Sequence, residues 1–180
     1  MNTHGKQALV ALIAAAAGLA ILLAADLPTY VGAGKCKECH RTNSQGRQYP
    51  IWESSKHAQA FNNLKTEAAK KRATELGVTG APEQSPVCLK CHAPLAGKAP
   101  ELAVEGVTCE VCHGPGSNYK KLNVMMNHDE AVKNGFIAYA SADAVKTFCL
   151  TCHADAAAAT GKPFDFAAAW ESIKHPKPEK

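Results

Sequence analysis

Aromatic residues make up only 6% of this 180-residue sequence, too few to build a conventional core from side chains alone. Nowhere does the chain sustain two-residue alternation of apolar and polar residues, so little sheet is expected. No basic run is interleaved with aromatics. The longest basic cluster, Lys70-Lys71-Arg72, reads as an exposed helix face, and nucleic acid is not expected as a partner. No Ser/His/Asp or paired-carboxylate constellation points to hydrolysis. Also missing is any cysteine outside one kind of motif.

All eight cysteines fall in four Cys-x-x-Cys-His units: Cys36, Cys39 and His40; Cys88, Cys91 and His92; Cys109, Cys112 and His113; Cys149, Cys152 and His153. A haem with two vinyl groups needs two thiols at a fixed separation, and an imidazole one residue later can reach the iron on one face. At this composition chance would supply such a motif roughly 0.016 times per chain. Zinc ribbons, a disulfide framework or a thioredoxin-like redox pair would use the cysteines, but none explains a histidine after every second one. Four covalently held haem c groups are therefore expected, with the eight cysteines as attachment points and His40, His92, His113 and His153 as proximal iron ligands. The intervals of 47, 16 and 35 residues are irregular, so this is no repeat array. The shortest interval makes the second and third haems near neighbours.

Outside the motifs stand His4, His57, His128 and His175. His4 lies in the N-terminal targeting region and cannot serve an exported haem, which leaves three histidines for four irons. A low-spin haem needs a second strong ligand, and His57, His128 and His175 are the candidate distal ligands. Met125 and Met126 offer a thioether alternative, or simply packing. Exchange of ligands between subunits cannot repair the shortage, since every donation is matched by a receipt. One haem per chain must take methionine, water, an external ligand or nothing at its sixth position. An open iron can bind small molecules such as nitric oxide.

Formal charge is +4, but the propionates of four haems would add roughly −8, so basicity carries no message about partners. The apolar stretch from Ala8 to Ala25, preceded by Lys6 and followed by Asp26 and Pro28, reads as a secretory signal, with a retained membrane anchor as the alternative. The expected organisation is this segment over residues 1–25 and one haem-binding domain over residues 26–180. Export to the periplasm, free or anchored on the inner membrane, follows.

The fold class expected is mostly α, with helices and long loops wrapped around closely packed haems. Residues 50–76 carry a helical pattern marked by Trp52, Phe61, Leu64, Ala68 and Leu76, which Gly77 would stop, and His57 falls on it. Residues 78–86 read as loop. Ser141 would N-cap a helix running into the fourth motif, and residues 165–174 read as a last helix ended by His175-Pro176. Gly114-Pro115-Gly116 reads as a tight turn that stops the helix of the third motif.

The runs Val31-Gly32-Ala33-Gly34-Lys35-Cys36-Lys37-Glu38-Cys39-His40, Trp52 to Phe61 around His57, and Cys109-Glu110-Val111-Cys112-His113-Gly114-Pro115-Gly116 resemble the tetrahaem cytochrome c-554 family. That family is typified by the electron acceptor of hydroxylamine oxidation in nitrifying bacteria. The resemblance implies haems in stacked pairs, three with two histidines and the second along the chain with an open iron. His92 would then be the sole protein ligand of its haem. The region between the third and fourth motifs and the C-terminal part are shorter than the family's, so the pairing of His128 and His175 with particular haems stays open. The function expected is electron carriage between redox protein partners outside the cytoplasm. Reduction of nitric oxide or another nitrogen oxide at the open haem, and self-assembly into an extracellular haem filament, are the alternatives.

Overall fold

The computed structural model describes residues 27–154 and 162–176; the N-terminal apolar segment lies outside them. Among the described residues there are ten short α-helices, three 3-10 helices and no strand. No helix there is long and apolar enough to cross a membrane. The mostly helical class expected from the missing alternation is what the backbone shows.

The elements that place the motifs are α1 (Ala33–Lys37), α2 (Gln48–Glu53), α3 (Ala60–Asn63), α4 (Glu67–Glu75), α5 (Pro86–His92), α6 (Cys109–His113), α7 (Leu122–Met125), α8 (His128–Lys133), α9 (Ala142–His153) and α10 (Phe166–Ile173). Their ends follow local chemistry. Thr66, Thr108, Asn127, Ser141 and Asp165 each accept backbone N–H groups in the first turn of α4, α6, α8, α9 and α10, satisfying donors that no helical carbonyl reaches. The Ser141 cap and the turn at Gly114 match the sequence reading.

The single helix expected over residues 50–76 is instead three pieces. Ser54 Oγ donates back to the Pro50 and Ile51 carbonyls, and Ser55 Oγ accepts from Ala58 N–H. These bonds offer the backbone an alternative to continued helix. His57 consequently sits in a turn, not on a helix. A 3-10 turn, Pro82–Gln84, interrupts the expected loop. His128 opens α8 two residues after Met126, the C-cap of α7.

Of the ten apolar residues buried among those described, six are alanines, joined by Phe61, Leu64, Leu95 and Tyr119. So little aliphatic bulk cannot pack a chain of this length at the density of a protein interior. The two largest fully buried side chains are Glu110 and Thr108, both polar. This is the interior expected of a chain folded around a large flat apolar group rather than around itself.

Candidate haem site

On a helical turn, residues i, i+3 and i+4 share a face. The second and third motifs lie wholly on α5 and α6, and the fourth ends α9. The first begins on α1 and keeps the same turn, with the His40 N–H donating to the Cys36 carbonyl at 3.0 Å. Each motif thus presents two thiols and an imidazole together. Among the described residues no three His, Cys, Asp or Glu side chains converge to hold a bare metal ion. Burial, with Cys149 and Cys152 nearby, pushes the Cys112 thiol up to about 11. Its hydrogen bond with Cys109, and then burial, push Cys36 up as well. The same contacts set the third motif against both the first and the fourth, neighbours that the interval lengths do not reveal.

The imidazoles are oriented by hydrogen bonds. His92 Nδ1 lies 3.0 Å from the Ala60 carbonyl and His113 Nδ1 3.1 Å from the Ile137 carbonyl. A carbonyl only accepts, so in both rings Nδ1 carries the proton and Nε2 keeps its lone pair for a metal. His40 Nδ1 has the side-chain oxygen Oε1 of Gln48 at 3.1 Å. These are the outer partners that orient a metal-binding histidine.

Two further histidines face motif histidines. The rings of His57 and His153 have centroids 6.1 Å apart at 48°, and those of His113 and His175 5.9 Å apart at 52°. With a metal–imidazole bond of about 2 Å and a ring centre about 1 Å beyond the nitrogen, two imidazoles on opposite sides of one metal have centroids about 6 Å apart. Both pairs meet that spacing. Desolvation, with neighbouring imidazoles adding to it at His57, His113 and His175, holds these three and His153 below the usual histidine range, a shift toward the neutral form that an iron ligand needs. Phe136 stacks on His113 at 4.9 Å and Phe164 on His153 at 4.4 Å. The residues present therefore fit haem.

His57 is positioned by its backbone. The Val107 N–H donates to its carbonyl at 3.0 Å, and Trp52 Nε1 donates to the Val107 carbonyl at 2.7 Å. Gly106 makes this approach feasible: its φ is 72°, and a Cβ there would sit 2.5 Å from the His57 carbonyl oxygen. The third sequence candidate, His128, is exposed, with Asp129 Oδ1 at 3.5 Å and the Phe136 ring centroid 6.4 Å from its own at an interplanar angle of 80°. Its ring packs against no motif histidine, and among the described residues no imidazole ring packs against His40 or His92, although His40 lies close enough to His113 and His175 to help lower both. Met126 is 78% exposed.

Sequence reasoning missed Glu110, only 1% exposed. Its carboxylate accepts from the backbone N–H groups of Val31, Gly32 and Gly116 at 2.6–3.0 Å, while Glu105 accepts from Ala33 at 2.9 Å. Two carboxylates beside the third motif thereby hold the three residues that lead into the first. The sole sequence signal was a charged residue between two haem cysteines. Gln48 and the carbonyls of Ala60 and Ile137 left none, because their contacts depend on the tertiary fold.

The model of the family cytochrome c554 and c-prime matches residues 35–114, a span that includes the first three motifs and ends before the fourth. Cytochrome c-554 of Nitrosomonas europaea is 33% identical over 107 residues, covering 54% of this chain and 43% of that relative. The chain thus matches less than half the length of that curated relative. No solved structure matches. The matched span contains the segment bearing His57, the Gly106 turn and the Glu110 clamp, and over it this chain is similar to the c-554 family of c-type cytochromes, whose cofactor is haem c.

Proposed function

We propose that the chain binds four haem c groups and carries electrons between redox proteins outside the cytoplasm. The observation that carries this reading is the pair of facing histidine couples, His57 with His153 and His113 with His175, at the spacing of two ligands on one metal. Haem, when bound, supplies a reversible one-electron iron couple. The chain's own residues do the rest. The cysteine pairs Cys36 and Cys39, Cys88 and Cys91, Cys109 and Cys112, and Cys149 and Cys152 anchor, and His40, His92, His113 and His153 ligate from the proximal side. His57 would be the distal ligand opposite His153, and His175 the one opposite His113. The Ala60 and Ile137 carbonyls hold the Nδ1 protons of His92 and His113 and make those rings stronger donors.

That pairing leaves His128 as one remaining candidate for two proximal histidines, His40 and His92. Placed opposite His40, His128 leaves His92 as sole ligand of an open iron, in line with the family resemblance. Reduction of a nitrogen oxide there is the second reading, favoured by His92 having no second imidazole ring packed against it among the described residues. A nitric oxide titration separates the two: ligand binding without turnover supports the carrier, steady consumption the enzyme. Intact-mass analysis of the exported protein tests the haem count. Four haem additions, with the N-terminal segment present or removed, is the expected result; three additions, with Cys149 and Cys152 unmodified, would refute it.

A further inference from the structure

Gln48 joins two parts of the site that the sequence holds 135 residues apart, His40 and His175. Its Oε1 lies 3.1 Å from His40 Nδ1, and its Nε2 donates to the Pro176 carbonyl at 3.0 Å. The direction of this relay is fixed by chemistry. The Pro176 carbonyl can only accept, so the amide must turn its NH2 group to it and its oxygen to His40. His40 must then carry its proton on Nδ1, with the Nε2 lone pair left for iron. The backbone is shaped to make the contact. Gly46 has φ 87° and Arg47 φ 52°, the latter the one non-glycine residue with positive φ among those described. A Cβ at Gly46 would lie 2.5 Å from both Gln48 Nε2 and the Pro176 carbonyl oxygen. The Tyr49 N–H donates to the His40 carbonyl at 3.0 Å, holding the start of α2 against the first motif.

We propose that Gln48 is a positioning residue that sets the tautomer and donor strength of His40, and so the potential of its haem, while tethering the segment that presents His175. His92 and His113 use main-chain carbonyls for this purpose. His40 uses a side chain, so this haem can be tuned by a single substitution. The proposal rests on the reading of His40 and His175 as iron ligands.

The test is spectroelectrochemical titration of the haem-loaded protein and its Gln48→Leu and Gln48→Glu variants. Leucine removes the acceptor, weakens His40 as a donor and raises one of the potentials. Glutamate keeps the shape and strengthens the acceptor, and lowers that same potential. Neither side chain can donate to the Pro176 carbonyl, so cyanide displaces His175 several-fold faster in both. Potentials that stay unchanged in both variants, or move in the same direction, would overturn the proposal. If leucine prevents haem loading, the glutamate variant decides alone: an unchanged potential contradicts the role. Failure of the underlying reading has a different signature, a wild-type protein with no haem on Cys36 and Cys39.

Discussion

At the residue scale the structure separates three histidines that the sequence could only group together. The rings of His57 and His175 lie against those of His153 and His113, whereas that of His128 meets only Asp129 and Phe136 among the described residues. His57→Ala and His175→Ala are each expected to convert one low-spin haem to high spin without loss of covalent attachment, read by the visible spectrum and intact mass. An unchanged spin state in either would remove that histidine as a ligand. Tyrosines give the pH prediction. Burial pushes Tyr139, whose hydroxyl donates to the Cys112 carbonyl, up to about 12, and raises Tyr119, whose hydroxyl donates to the Gly114 carbonyl. A folded-state value above the ordinary one of about 10 means that these groups favour folding below pH 10. That contribution is lost as pH rises through 12. Ring-carbon NMR of labelled tyrosines should find both still protonated well above pH 10; titration of either near 10 would contradict the burial argument.

At the level of elements, one segment ties the motifs together. Residues 52–60 reach residue 107 through Trp52 and the His57 carbonyl, His92 through the Ala60 carbonyl, and His153 through the His57 ring. A methyl group at Gly106 would strike the His57 carbonyl. Gly106→Ala is therefore expected to shift the His57 ligand toward the behaviour of its alanine variant. The Glu110 clamp is the other such device. Glu110→Ala would leave three backbone N–H groups without their acceptor, each costing about 1–3 kcal/mol when buried. Thermal unfolding should show a loss of about 3 kcal/mol or more, and a loss under 1 kcal/mol would mean that water replaces the carboxylate. Much of this level was legible beforehand: the helices of the third and fourth motifs, the Ser141 cap and the last helix all follow from local residues. The break at residues 54–59 was not. Its serines are weak helix breakers, and what fixes the turn is Val107, distant in sequence. The clamp was hidden for the same reason, because a glutamate reads as surface until its partners are known.

For the whole molecule, an interior of alanines with two buried polar side chains makes sense once haem supplies the apolar bulk. The thiol contacts set the third motif between the first and the fourth, an order suited to passing electrons through a central haem. Counting histidines predicts that one iron differs from the rest, and the facing pairs narrow the exception to the haem of His40 or of His92. Electron paramagnetic resonance of the oxidised, haem-loaded protein tests this most directly. The account predicts low-spin signals from three haems and a high-spin signal from one. Four low-spin haems without methionine ligation would contradict it.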